Sequence, residues 1–401
     1  DEAIKCYKKA LELNTESPMA YYNLGSAYQI QQNHEEACIY LEKACELDDE
    51  DEGFKVALAM SKTKLGRYQE AANIYKNLLL QHPEKENYKY NLATCLEMMG
   101  DLQGAIKMLE GIVYVNQKFI LPVQKLASLY IRTNQLNKAK ELYDNILLKG
   151  QVSAETFHQY AILSSSLCDT DTAEKMLKKV IKMNPEIAKA HKDLGIIYLN
   201  KRLFDYAEDE FKTAMQLQPN DFEIIFEYAN FLYSVSKNTE AERFYLEALD
   251  IEPNNILALT FMALNKLILN QLDEAKDYIM KALKVNPHHE YIQFCAGRIF
   301  FARKEYEDAK HYLIHAVEQN PDIETQNTLA LTYYELGEYD FAINIFNNLL
   351  GKKPENISVL MSLAKCYEGK KDNDKALEYL DKVVTIFPED EEAHEMIRKL
   401  S

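Results

Sequence analysis

A small residue returns at a fixed interval along the whole chain, and this restricts the fold more than anything else in the sequence. Stepping forward by 34 from Ala3 lands on Ala37, Ala71, Ala105, Ala139, Ala173, Ala207, Ala241, Ala275 and Ala309. One step of 33 gives Ala342, and a last step of 34 gives Ala376. Twelve residues before each of these from Ala37 onward stands a second small residue: Gly25, Ala59, Ala93, Ala127, Ala161, Gly195, Ala229, Ala263, Gly297, Ala330 and Ala364. A period of this size marks stacked supersecondary units, not one closed core. Small residues in register fit the crossing points of paired helices, where only a hydrogen or a methyl group has room. A larger side chain there would overpack the contact, at a cost of roughly 1–3 kcal/mol.

The other positions agree with this period. Pro83, Pro185, Pro219, Pro253, Pro287, Pro321, Pro354 and Pro388 each lie twelve residues after a ladder alanine, where proline ends one helix and leads into the next hairpin. Large apolar residues precede the second small residue (Leu24, Leu58, Leu92, Leu126, Tyr160, Leu194, Tyr228). Others follow the ladder alanine by four (Tyr75, Tyr143, Phe211, Tyr245, Phe346). Spacings of three and four predict helices on both sides of each turn. With 47% hydrophobic residues and only 12 Gly and 10 Pro, the composition fits an extended helical interior and argues against an all-β or loop-rich fold.

The pattern L-G-x-x-Y, then A-x-x-x-F/Y, then P resembles the tetratricopeptide repeat. Its clearest copy is Leu194-Gly195-x-x-Tyr198, Ala207-x-x-x-Phe211, Ala214 and Pro219. Departures are mild. The family's first aromatic is replaced by Tyr21 or Phe157, and elsewhere by Lys55, His191 or Leu259. The resemblance implies an all-α, right-handed superhelical solenoid of antiparallel helix hairpins. Residues 1–13 are expected to be a half repeat carrying only a second helix, residues 18–388 eleven repeats in one array, and residues 389–401 a capping helix. Arg398 stands where the last small residue would be, too large for another helix to cross. On this reading the C-terminus is natural and the N-terminus is cut.

No nucleotide-binding, nucleophile-elbow or metal-ligand signature appears, so neither catalysis nor a cofactor is expected. His311 and His315 share one helix face at a metal-compatible spacing, but lack a third ligand in sequence. The acidic runs 48–52 and 389–392 are expected to solvate turns and complement helix N-termini. A net charge of −17, with basic doublets only at Lys178-Lys179 and Lys352-Lys353, excludes nucleic acid as a natural partner. No apolar stretch is long enough to insert into a membrane. Seven scattered cysteines without a C-x-x-C pair fit small apolar fillers in a reducing, cytoplasmic setting.

The resemblance further implies that positions 2, 5, 9 and 12 of each first helix line a concave groove. These positions hold Glu223, Phe226, Asn230 and Tyr233, then Leu257, Thr260, Leu264 and Leu267. Next come Tyr291, Phe294, Arg298 and Phe301, then Glu324, Asn327, Leu331 and Tyr334. Two readings stay open. Either neighbouring hairpins bury these side chains, or they form a groove for an apolar peptide or amphipathic helix. On the second reading the partner-binding residues are Phe226, Asn230, Tyr233, Leu264, Tyr291, Phe294, Arg298, Phe301 and Tyr334, and Phe294→Ala with Phe301→Ala should weaken partner capture without loss of helicity. Two family subtypes do not fit. The carboxylate-gripping Lys/Asn set is absent, since Lys192 is followed by Ile196 where Asn should stand. An asparagine ladder at position 6 is also absent, that position reading Asn23, Ala57, Asn91, Lys125, Gln159, Asp193, Glu227 and Phe261. The functional expectation is a protein-interaction scaffold or adaptor. The alternative is the substrate-recruiting arm of an enzyme, such as a glycosyltransferase, whose catalytic domain lies elsewhere. Self-association through the open first half-hairpin is a further possibility.

Overall fold

The computed structural model describes residues 2–115, 120–148 and 153–401, and among them every regular element is an α-helix. The chain divides into two compact units, Asp1–Asn184 and Pro185–Ser401. The first holds α1 (Glu2–Leu13), α2 (Pro18–Ile30), α3 (His34–Leu47), α4 (Glu52–Lys64), α5 (Tyr68–Gln81), α6 (Glu86–Met98), α7 (Leu102–Val115), α8 (Ile120–Arg132), α9 (Leu136–Leu148), α10 (Ala154–Ser166) and α11 (Thr170–Met183). The second holds α12 (Ala188–Asn200), α13 (Phe204–Leu217), α14 (Phe222–Ser234), α15 (Asn238–Ile251), α16 (Ile256–Ile268), α17 (Leu272–Val285), α18 (Glu290–Ala302), α19 (Tyr306–Gln319), α20 (Ile323–Glu335), α21 (Tyr339–Lys352), α22 (Ile357–Gly369), α23 (Asn373–Ile386) and α24 (Glu391–Leu400). Within each unit, consecutive helices pack as hairpins, such as α2 on α3 and α18 on α19, and each hairpin packs on the next.

The small-residue ladder does what its register predicts. Ala37, Ala71, Ala105, Ala139, Ala173, Ala207, Ala241, Ala275, Ala309, Ala342 and Ala376 are all fully buried, and so are their small partners twelve residues earlier. Ala3 is exposed, and is the one ladder alanine with no such partner. The close approach is visible at Gly297, where an added Cβ would lie 2.4 Å from Leu313 Cγ. The residues four beyond each alanine fill the space beneath the crossing: Tyr75, Tyr143, Phe211, Tyr245 and Phe346 are at most 1% exposed. Emptying such a site to alanine costs about 3–5 kcal/mol.

Each proline of the series stands two residues past the last helical residue, as Pro219 does after Leu217 and Pro287 after Val285. Capping starts many of the first helices. Ser17, Asp51, Ser153, Asp221, Asn255, Asp322, Asn356 and Asp390 each accept a hydrogen bond from a backbone N–H in the first turn. Asp51 and Asp390 belong to the two acidic runs, so part of that acidity caps helix N-termini as expected. Arg398 is exposed on α24, whose buried residue is Ala393.

Charge is also used between hairpins. Lys266 is only 3% exposed, and its ammonium lies 2.7 Å from both Glu242 on α15 and Glu274 on α17. Lys62 repeats this device in the first unit, 2.7 Å from Glu42 on α3 and 2.5 Å from Glu70 on α5. A buried ammonium with two carboxylates couples the second helices of adjacent hairpins, and is costly to leave uncompensated.

Cys38, Cys95, Cys295 and Cys366 are buried, Cys45 is half-buried, and Cys6 and Cys168 are exposed. Burial pushes the Cys295 thiol up to about 12, which makes it inert. Among the described residues no helix is long and apolar enough to cross a membrane.

Candidate functional site

In the second unit the first helices α14, α16, α18 and α20 follow one another, each touching the next across the hairpin between them. Residues on the shared side of these helices divide into two sets. Phe226 (6% exposed), Leu264 (4%) and Phe294 (8%) are buried, contrary to the groove reading of these three positions. All three belong to the core, and Phe226 packs across to Phe261 of the next first helix. Phe294→Ala would therefore test stability, not partner capture. The other expected groove residues remain reachable: Asn230, Tyr233, Arg298, Phe301 and Tyr334 are half-buried, and Tyr291 is exposed.

These reachable residues do not form one continuous patch. Phe301 packs on Tyr306 of its own hairpin, ring centroids 5.5 Å apart, and Tyr334 packs on Tyr339 at 5.8 Å. Tyr233 and Tyr291 instead gather around Phe261, and Asn230 is joined to them through Tyr245. The Phe261 ring lies 5.9 Å from Phe226, 6.2 Å from Tyr233, 6.5 Å from Tyr245 and 6.4 Å from Tyr291. The first two contacts are edge-on, the arrangement favoured by the ring quadrupole. Phe261 is half-buried, so part of this cluster faces outward across α14, α16 and α18.

A polar seam runs beneath the rings. The fully buried Tyr245 hydroxyl donates to Asn230 Oδ1 at 2.9 Å, and Asn230 Nδ2 donates to Glu227 Oε2 at 3.4 Å. Burial raises the Glu227 carboxyl above the usual range; Asn230 and Lys192 oppose the rise, while Glu223 and Asp193 add to it. Lys192 is itself held by Glu223 at 3.1 Å and Asp193 at 3.3 Å. Arg298 lies over the Phe294 ring, 5.6 Å from its centroid, and 3.7 Å from Glu324. Burial raises the Tyr233 and Tyr291 hydroxyls as well, so both remain neutral hydrogen-bonding groups at physiological pH.

Phe261 and Glu227 are absent from the groove positions of the sequence map. Both occupy position 6, next to position-5 residues that are buried. The series at that position contains them, but an asparagine search passes over both. His311 and His315 sit edge to face with centroids 4.9 Å apart, and His315 Nδ1 is 3.5 Å from Glu318. Among the described residues no group of three His, Cys, Asp or Glu side chains is placed to hold a metal.

Family models described as TPR repeat or tetratricopeptide repeat match residues 1–32, 20–51, 63–127, 169–222, 258–289 and 333–400, together well over half of the chain. The chain belongs to the tetratricopeptide-repeat family. This tetratricopeptide array is similar to the BBSome complex member BBS4 homolog of Drosophila melanogaster, 22% identical over 266 residues, covering 63% of this chain and 55% of that protein. It is also similar to protein O-mannosyl-transferase TMTC1 of Homo sapiens, 27% identical over 159 residues, covering 39% of this chain and 18% of that protein. The chain thus spans about half the length of the first of these relatives and under a fifth of the second. Similar solved structures include the APC/C hetero-tetramer Cut9–Hcn1, with a TM-score of 0.47 and 17% identity over 96% of this chain and 98% of that one. Another is YrrB, described as a TPR protein with an unusual peptide-binding site, with a TM-score of 0.43 and 25% identity over 47% of this chain and 97% of that one.

Proposed function

We propose that this tetratricopeptide-repeat protein is a non-catalytic interaction scaffold that holds a peptide or helix of another protein against the α14–α16–α18 face. The observation that carries the reading is the Phe261 cluster. Half-open aromatic rings from three successive first helices form one patch, with hydrogen-bonding groups at its floor. Interfaces draw most of their energy from such central aromatic anchors, each worth about 2 kcal/mol or more. The polar seam adds the few directed groups that fix a ligand's orientation.

Peptides selected from a phage-displayed random library on the full chain would test this. The double variant Phe261→Ala/Tyr291→Ala should bind those peptides at least about tenfold more weakly, with helicity preserved by circular dichroism. Equal binding by the double variant would remove the face from the function.

A second reading has one observation in its favour, the 159-residue similarity to a mannosyl-transferase of which it covers 18%. On that reading the array recruits substrate for catalysis carried out elsewhere. Transferase activity in the full-length protein, lost when the Phe261 face is altered, would support it over a free-standing scaffold.

A further inference from the structure

The interaction face is not chemically neutral, and its one carboxylate without an ion-pair partner constrains what it can hold. Tyr245 is fully buried and its hydroxyl needs an acceptor, which Asn230 Oδ1 supplies at 2.9 Å. That bond fixes the amide: with its oxygen turned to Tyr245, its NH2 group must face Glu227. The Asn230–Glu227 contact is long at 3.4 Å, so it orients the carboxylate without saturating it. Among the described residues no cation lies within 4 Å of Glu227, and its Oε1 accepts no hydrogen bond.

The neighbouring charges leave the position acidic. Lys192 lies 3.3 Å from Asp193 and 3.1 Å from Glu223, so its ammonium is engaged by these two carboxylates and not by Glu227. Arg298, the other cation of the face, is turned to Glu324 and the Phe294 ring. Tyr245 links this acidic spot to the Phe261 cluster, since its ring stacks on Phe261 and its hydroxyl reaches Asn230; the rings of that cluster attract cations and bury apolar surface equally well. The whole chain carries a net charge of −17, so its field draws basic segments in and repels acidic ones.

We propose that this face is selective for a protein segment presenting a lysine or arginine beside an aromatic or leucine side chain, the cation seated against the Glu227 carboxylate and the apolar group on the Phe261 ring. The inference rests on the interaction reading above and adds the identity of the recognised side chains.

The random-peptide selection on the full chain tests it directly. Enriched peptides are expected to share a Lys or Arg adjacent to an aromatic residue or Leu. A synthetic peptide of the enriched sequence should bind Glu227→Gln at least about tenfold more weakly, because Gln keeps the Asn230 contact and removes only the charge. Replacing the peptide's cation with Leu should lose a similar factor on the wild type and little on the variant. Selection on Glu227→Lys should enrich Asp or Glu at the same place. Enriched peptides that lack a cation, or that bind Glu227→Gln as well as wild type yet fail on Phe261→Ala/Tyr291→Ala, would overturn the cation assignment and leave the interaction face standing. Peptides indifferent to both sets of variants, or no enrichment at all, would overturn both.

Discussion

Both ring nitrogens of His191 meet an acceptor. Nδ1 is 2.6 Å from the Glu210 carboxylate and Nε2 is 3.0 Å from the Pro185 carbonyl. Satisfying both requires two N–H groups, so the folded protein favours the imidazolium. The Glu210 hydrogen bond is the largest cause of the raised pKa, burial opposes it, and the Pro185 carbonyl adds to it. A raised histidine pKa gives stability that is complete below the unfolded value of 6.5 and is lost as pH rises through the folded value. Gln293 stands six residues after Pro287, as His191 does after Pro185, and donates to that proline's carbonyl at 2.7 Å without titrating. His191→Gln should therefore keep the backbone clamp and flatten the pH dependence. Urea unfolding between about pH 6 and about pH 9 checks this: wild type should lose stability with rising pH, and the variant should not. In the sequence His191 is merely one of several replacements for the family's first aromatic. Its role depends on Glu210, nineteen residues away, and only packing brings the two together.

The hairpin as an element was largely legible, because its helices follow from the ladder. Its turn was not. Gln32, Gly66, Gly100, Asn134, Cys168, Arg202, Ser236, Asn270, Lys304, Gly337 and Lys371 all have positive φ, each seven residues after the second small residue of its repeat. The next N–H bonds back into the helix, as Glu305 N does to Phe300 O at 3.0 Å, closing a left-handed helix end. Only three of these positions are glycine, so the chain conceals its most regular backbone feature under Gln, Cys, Arg, Ser and Lys. A side chain in this conformation costs about 1–2 kcal/mol, part of which glycine returns through its greater freedom when unfolded. Lys304→Gly should raise stability by roughly 0.5–1 kcal/mol, and Gly337→Lys should lower it by a similar amount, read as shifts in the urea midpoint. An unchanged midpoint in both would mean that stacking between hairpins, not the turn, sets the cost.

At the scale of a whole unit the main contacts of each hairpin are with its neighbours in the chain, so a local fault should stay local. Gly297 gives a sharp probe, because an added methyl would meet the branch carbon of the fully buried Leu313 as well as its methyl groups. Gly297→Ala should destabilise the α18–α19 hairpin by about 1–3 kcal/mol. Hydrogen exchange should then speed up in α16 to α21 and stay unchanged in α12, α13, α23 and α24. Equal acceleration throughout the second unit would mean that the unit opens as a single body.

The sequence by itself determined that the chain is a tetratricopeptide array and that small residues from Gly25 onward are buried where its helices pair. These follow from spacing along one chain, and helical periodicity converts spacing into a face. What the tertiary structure alone decided is which residues of that face are left open. Phe226, Leu264 and Phe294 lie at groove positions yet are buried, whereas Phe261 and Glu227, at the next position of their helices, stay half-buried. That division depends on how close each first helix lies to the next. The packing of several side chains at once sets this distance, and no single repeat encodes it.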